Sequence, residues 1–179
     1  MEVVVLSKNS IKIKGKKVSI VVDPQKEVRT SAEVVLLLSK TSSFDSSKIE
    51  GKRIEISGPG EYEASGIKIA GELMDGNLIY DITLDYGNIL LAKSTAIEKS
   101  LQKKSELAEG KDYHVAILAA DNLMNSDILT KISTRVLILY GEKAEEAAKS
   151  LGKQDLKKTS KFSAAYEKLP QEMETVVLE

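Results

Sequence analysis

The first half of the chain carries short apolar runs separated by polar turns, a pattern that is typical of β-strands. The runs are rich in Val and Ile and predict strands at residues 3–6, 11–14, 18–22, 33–38, 53–57, 62–64, 67–70, 78–84 and 88–92. The run at 33–38 is apolar almost throughout, as in a strand covered on both faces. Asp85, Tyr86 and Gly87 form a plausible hairpin turn between the last two strands.

From residue 94 onward the apolar period changes and helices alternate with strands. The pattern predicts helices at 94–108, 127–132 and 142–151, the last ended by Gly152, and strands at 115–119, 135–139 and 175–178. The Lys-rich, polar stretch 154–163 is expected to be a mobile loop. Strands followed by alternating strands and helices predict an α/β (α+β) fold, with sheets covered by helices. No linker divides the chain, so we expect one domain, 1–179.

Composition excludes several classes of partner. Of the 179 residues, 42% are apolar and 30% charged, and the net charge is −1, so no overall field attracts nucleic acid. Aromatic residues, at 4%, are too few to stack the successive bases of a nucleic acid. No apolar run approaches the ~20 residues of a membrane span, and no signal-peptide pattern is present. The absence of Cys excludes disulfides and thiolate metal sites. We expect a cytoplasmic protein with no nucleic-acid or membrane partner.

One string in the middle of the chain resembles a known family. Ile56-Ser57-Gly58-Pro59-Gly60-Glu61-Tyr62-Glu63, followed by Gly66-Ile67-Lys68-Ile69-Ala70-Gly71, is similar to the centre of a prokaryotic group of metallo-β-lactamase-fold proteins, the zinc-dependent hydrolases of the β-lactamase fold. Other stretches agree in order, from the opening strand through Asp23-Pro24 to the C-terminal strand. The resemblance implies a four-layer αββα sandwich of metallo-β-lactamase type, with metals at one edge between the two halves of the chain. It also implies a homo-oligomer.

The resemblance assigns metal-ligand positions, and this sequence departs from nearly all of them. Lys40 and Ser42 stand at the first two His positions, Phe44 at the Asp, Asp45 at the next His, Asp75 in the third-His segment, Ser94 near the bridging Asp and Leu139 at the final His, beside a retained Tyr140. Zinc requires lone pairs from imidazole, thiolate or carboxylate, whereas a protonated Lys has none. With one His and no Cys in the chain, a His-rich site cannot be rebuilt elsewhere.

We therefore expect a catalytically inactive protein without cofactor that serves as a binding or assembly module. Its small-molecule or protein ligand cannot be named from the sequence. The residues just assigned would line a vestigial pocket. There the ammonium of Lys40, with help from Lys8 or Lys93, would replace the metal charge by pairing with Asp45, Asp75 or a carbonyl group.

Other chemistry stays open at this stage. A superfamily hydrolase with an unconventional site is the alternative, for example a Ser–Lys nucleophile made by Lys40 and Ser94. Asp45, Asp75 and Asp121 are candidates for a carboxylate-only metal site. His114 is interpreted as a strand-edge His bonded to backbone or solvent, with acid–base or metal-binding roles as alternatives. Pro59, Gly60, Glu61 and Tyr62 are interpreted as an architectural turn, with a partner interface as the alternative.

Overall fold

Short strands make up most of the described chain. The computed structural model describes residues 1–40, 43–103, 111–153 and 156–179. The strands are β1 (Glu2–Ser7), β2 (Ser10–Lys14), β3 (Ser19–Val22), β4 (Thr30–Ser31), β5 (Val34–Leu36), β6 (Ile49–Glu50), β7 (Ile54–Ile56), β8 (Gly60–Ala64), β9 (Ile67–Met74), β10 (Asn77–Leu84), β11 (Gly87–Lys93), β12 (Asp112–Ala119), β13 (Ser133–Tyr140), β14 (Lys157–Thr159), β15 (Lys161–Ser163) and β16 (Glu174–Leu178). The helices are α1 (Ser94–Gln102), α2 (Ile128–Lys131) and α3 (Ala144–Ser150), with a 3-10 turn at Tyr166–Lys168.

The strands form two large sheets. The first sheet has the order β15-β1-β2-β3-β5-β7, the second has the order β14-β16-β13-β12-β11-β10-β9-β8, and β4 and β6 form a separate ladder. In the second sheet β11, β12, β13 and β16 run parallel, and their register places Lys93, Ala119, Tyr140 and Leu178 at one level. In the first sheet β3, β5 and β7 are parallel. The carboxyl ends of these strands meet at one edge of the sandwich.

Strand alternation sends apolar side chains into two separate layers. On β13, Val136, Ile138 and Tyr140 belong to the core between the sheets, whereas Leu137 and Leu139 belong to the core under the helices. All three helices pack against this outer face of the second sheet. Two sheets face to face, with helices outside, confirm the predicted fold class.

The outer face of the first sheet has a different cover. Val21 and Val35 pack there against Val28, Ala32 and Ile49. These partners come from loops and from the β4–β6 ladder, and no helix covers this face within the described ranges. In this chain the layer over the first sheet is therefore a loop layer.

Most predicted elements are confirmed, and one is wrong. Gly152, with φ +77°, donates its N–H to the carbonyl of Lys149 and ends α3 as expected. The stretch 154–163 was expected to be a loop, but β14 and β15 lie within it, at an edge of each sheet. Lys-rich edge strands are a common protection against unwanted pairing, and this composition hides the strand signal. No helix in the described residues is long and apolar enough to cross a bilayer.

Candidate functional site

A cleft of about 350 Å³ opens where the parallel strands of both sheets end, and we call it the edge cleft. It is lined from the first half of the chain by Asn9, Asp23, Gln25, Ser43 and Phe44, and from the second half by Lys93, Ala119, Ala120, Asp121, Glu142 and Lys143. The lining combines carboxylates, ammonium groups, amides and one aromatic ring. This edge is where the resemblance placed the site.

Asp23 is the buried acid of the edge cleft. It follows β3 with φ +47° and is only 4% exposed. Its Oδ1 accepts a hydrogen bond of 2.8 Å from the N–H of Leu38. Burial raises the pKa of Asp23 to about 7, although the Leu38 N–H and the charge of Lys93 both act to lower it. Asp23 is therefore a carboxyl group that changes its charge near neutral pH.

Lys93 provides positive charge at the inner side of the edge cleft, beside the buried residues. It is the last residue of β11, and its Nζ donates a 2.9 Å hydrogen bond to Oγ of buried Ser39. Its charge acts to lower the pKa of both Asp23 and Asp121. The ammonium group of Lys93 thus stabilises two carboxylates, one that follows a strand of the first sheet and one that follows a strand of the second sheet.

Asp121 joins the edge cleft to the beginning of α1. Its Oδ1 accepts hydrogen bonds from Ser94 Oγ (2.7 Å) and Thr95 N (3.1 Å), and its Oδ2 accepts one from Thr95 Oγ1 (2.6 Å). Burial acts to raise the pKa of Asp121, but these hydrogen bonds together with Lys93 outweigh it and lower the pKa. Asp121 is thus an ionised cap on the first turn of α1.

Tyr140 lies behind the edge cleft, between the two sheets. It is 1% exposed, and its hydroxyl has no hydrogen-bond partner among the described residues. Burial and the nearby charge of Asp23 raise its pKa well above the ordinary value. The hydroxyl is therefore a neutral group in an apolar setting.

The structure brings together only part of the vestigial pocket expected from the sequence. Phe44 lines the edge cleft, and Tyr140 and Ser94 lie next to it. Ser42 lies outside the described residues. Lys40 is exposed and has no described partner, so the pairing expected for it is not found. The positive charge that was expected from Lys40 comes instead from Lys93, which the sequence analysis considered only as an addition to Lys40.

Three further pocket assignments require correction. Asp75 lies in the β9–β10 turn and pairs with Lys99 (3.0 Å) and Lys103 (3.1 Å). Asp45 accepts a 2.8 Å hydrogen bond from the N–H of Ser47. Leu139 faces the helices because neighbouring residues on a strand point to opposite faces. The three carboxylates proposed for a metal site therefore hold separate local partners.

The Ser–Lys contact in the structure also differs from the expected one. Lys40 and Ser94 do not meet, since Ser94 is fully buried against Asp121. The pair that forms is Ser39 with Lys93. Sequence reasoning missed Asp23 and Ser39, and the available signal was their place at the ends of two buried, parallel strands.

His114 and the Pro59–Tyr62 turn lie away from the edge cleft. His114 Nδ1 accepts a 3.1 Å hydrogen bond from Asn88 N, which confirms the backbone-bonded interpretation. Gly60 has φ +137°, and the Tyr62 hydroxyl folds back onto the carbonyl groups of Gly58 (3.2 Å) and Pro59 (3.1 Å). Glu61 is exposed. These contacts fix the tight turn that begins β8.

Comparison with solved structures identifies the architecture. A Thermotoga maritima protein named as a Zn-dependent hydrolase of the metallo-β-lactamase superfamily is 16% identical, with a TM-score of 0.71 over 99% of this chain and 98% of that chain. The chain has the metallo-β-lactamase fold. A Parabacteroides distasonis protein named as a metal-dependent hydrolase shares this fold at 15% identity and a TM-score of 0.62, over 99% and 93% of the two chains.

The fold also occurs as part of a larger enzyme. CmlA, a diiron β-hydroxylase from Streptomyces venezuelae, matches at 7% identity with a TM-score of 0.51. The match covers 79% of this chain and 45% of CmlA. No protein-family model matches the sequence, and no curated protein matches it.

The chemistry of the edge cleft can be compared with what a zinc site requires. Within the described ranges, no group of three or more His, Asp or Glu residues is placed so that it could hold a metal ion. The edge cleft offers the carboxylates of Asp23, Asp121 and Glu142, but Asp121 is already occupied by α1 and Glu142 pairs with Lys8 (3.9 Å). Lys93 contributes an ammonium group, which has no lone pair and repels a divalent ion.

Proposed function

We propose that this protein is a non-catalytic metallo-β-lactamase-fold protein that uses the edge cleft as a metal-free binding site. The Thermotoga and Parabacteroides proteins carry hydrolase names, and the fold alone does not transfer that activity. The proposal rests on one observation, the hydrogen bond from Lys93 to Ser39 beside the carboxyl group of Asp23. A cationic side chain stands at the edge of the sandwich where the resemblance implies metals.

The chemistry of an ammonium group separates two roles that a metal ion combines. A zinc ion neutralises nearby carboxylates and also lowers the pKa of a bound water. Lys93 neutralises charge but cannot coordinate a water molecule and lower its pKa as a zinc ion does, because an ammonium group has no vacant orbital. The edge cleft would therefore keep its charge balance without a metal-bound water.

The remaining lining of the edge cleft suits a polar ligand or a partner segment. Asn9 and Gln25 provide amides, Phe44 provides a half-buried ring, and Lys143 provides an exposed ammonium group. We propose that this surface serves binding or assembly, in a homo-oligomer and in the cytoplasm.

Metal analysis combined with one pair of variants tests the proposal. The purified wild-type protein should contain well under one equivalent of Zn, Mn or Fe, and EDTA should leave its Tm unchanged. Lys93→Met should lower the Tm because Asp23 loses its counter-charge, whereas Lys143→Met, on the exposed rim, should leave it nearly unchanged. A stoichiometric metal whose removal lowers the Tm would show that the edge cleft is a working metal site.

A second candidate is a hydrolase with an unconventional site, and the Ser39–Lys93 contact favours it. A serine activated by lysine can form a covalent intermediate with an ester or lactone. Two facts count against this activity: Lys93 donates to Ser39 instead of accepting its proton, and Ser39 is buried and does not line the edge cleft. A fluorophosphonate probe that labels the wild-type protein but not Ser39→Ala would favour this candidate.

A further inference from the structure

A second cleft lies at the opposite end of the sandwich, and we call it the turn cleft. Its volume is about 680 Å³, and the β2–β3, β8–β9 and β10–β11 turns surround it. Lys93 and the β10–β11 turn are at opposite ends of β11, a strand of seven residues, which separates the two clefts by about 20 Å. The turn cleft is therefore independent of the function proposed for the edge cleft.

Tyr86 is the most unusual residue of the turn cleft. Its ring is 96% exposed, and its φ is +69°, in the left-handed region that bulky residues avoid. The preceding Asp85 also has a positive φ, of +50°. A two-residue hairpin turn with two positive φ values favours Gly at the second position. Tyr86 thus strains the backbone and buries almost nothing, so folding does not explain its presence.

The surrounding structure holds this turn in place. Asp85 Oδ2 accepts a 2.6 Å hydrogen bond from the N–H of Lys16 in the β2–β3 turn. The next residue, Gly87, packs so closely on Tyr166 that a Cβ would lie 2.1 Å from its ring. Strain that is maintained by neighbouring contacts is a mark of functional positions. The ring of Tyr86 is presented to solvent on a fixed support.

Positive charge converges on the same cleft. Lys16, Lys17 and Lys68 line it, and all three are exposed. None of their ammonium groups forms an ion pair with another described residue, although Lys68 lies opposite Glu63 in the β8–β9 ladder. The acid that lines the cleft, Asp85, accepts a hydrogen bond from the backbone N–H of Lys16. The three ammonium groups remain available to an anion.

We propose that the turn cleft binds a small molecule of the nucleoside phosphate class. An exposed ring offers a stacking surface for a planar base. Ammonium groups bind phosphate oxygens through charge-assisted hydrogen bonds. The turn cleft supplies both on a rigid frame.

Three probe molecules separate the contribution of the Tyr86 ring to binding from the contribution of the lysine–phosphate contacts. By titration calorimetry at low salt, ADP should bind more tightly than pyrophosphate, and adenosine should bind most weakly. Tyr86→Gly should weaken ADP binding at least about fivefold and leave pyrophosphate binding unchanged, because stacking on one aromatic ring contributes at least about fivefold in affinity. Tyr86→Phe should retain ADP binding. Lys68→Gln should weaken both phosphate probes several-fold, whereas Lys131→Gln, at an exposed lysine on α2, should change neither.

Thermal unfolding gives an independent readout of the same variant. Tyr86→Gly should raise the Tm by about 2–4 °C, because Gly adopts the positive φ without strain. A loss of ADP affinity together with a gain in stability supports a binding role. No saturable ADP binding at millimolar concentration, equal affinity for ADP and pyrophosphate, or a lower Tm in Tyr86→Gly would each overturn the proposal.

Discussion

Replacing Asp23 by Asn should remove a large pH dependence from the stability of this protein. In the folded chain burial raises the pKa of Asp23 to about 7, from an ordinary value of 3.8. The folded state therefore holds this proton more tightly than the unfolded state does. The wild-type protein loses stability as the pH rises from about 4 to about 7, because in this range the unfolded chain ionises Asp23 while the folded chain keeps it protonated.

The size of the effect follows from the difference between the two pKa values. A shift of about three pH units, at about 1.36 kcal/mol per unit, corresponds to roughly 4 kcal/mol. The amide of the Asp23→Asn variant would keep an oxygen to accept the Leu38 N–H without ever becoming charged. The two proteins should have similar free energies of unfolding near pH 4. At pH 8 the variant should be more stable by a few kcal/mol.

Urea denaturation followed by circular dichroism, from pH 4.5 to 8.5, measures this difference. Asp45→Asn is the matched control, because the hydrogen bonds from Ser47 lower the pKa of Asp45. A lowered pKa contributes stability above the ordinary value, which is lost only as the pH falls through the acidic range. The control difference should therefore stay constant from pH 5 to 8. If the Asp23→Asn difference is equally constant, Asp23 does not titrate near neutral pH and the burial argument fails.

Two further predictions concern the packing between the sheets and at the turns. Tyr80→Phe should destabilise the protein by about 1–3 kcal/mol in urea, because the buried hydroxyl shares its proton between the carbonyl groups of Leu37 (3.0 Å) and Ile56 (3.1 Å). Tyr140→Phe removes a buried hydroxyl without a described partner and should be neutral or stabilising; a cost equal to that of Tyr80→Phe would contradict this. Gly87→Ala should cost about 1–3 kcal/mol or more because its Cβ would overlap the Tyr166 ring. The control Gly58→Ala meets its nearest atom at 3.8 Å, and equal Tm losses would refute the argument.

The strand pattern could be predicted well from the sequence. The direction of individual side chains could not be predicted where both faces of a strand are apolar. On β13 the residues Val136 to Tyr140 are all buried, so no alternation shows which of them face the helices. Leu139 was assigned to the pocket because it stands at the final His position of the resemblance, and the sequence could not show that its side chain faces the helices. A strand with one polar face would have shown the direction of each side chain.

The sequence predicted the edge of the sandwich at which the edge cleft lies, but not the residues that meet there. Its two central residues, Asp23 and Lys93, are 70 positions apart and meet only because their strands end at the same edge. Nothing in the local sequence distinguishes Lys93 from the other lysines of the chain. Lys40 was preferred because it occupies a ligand position in the resemblance, yet its side chain is exposed. Charge compensation depends on distance across the fold, which the order of residues does not reveal.

The position of Lys93 has a consequence for how the fold can change its function. A lysine at the end of β11 supplies positive charge from within the chain and acts to lower the pKa of Asp23, although burial outweighs it. Under the proposed function, this lysine takes the place of a metal ion in the electrostatic balance of the edge cleft. Substitutions of Lys93 should therefore alter the free energy of unfolding and its dependence on pH. They should not abolish a catalytic activity, because the proposed function includes none. The residues at the rim of the edge cleft can then be substituted to suit different ligands, since the groups that hold the two sheets together lie behind the cleft.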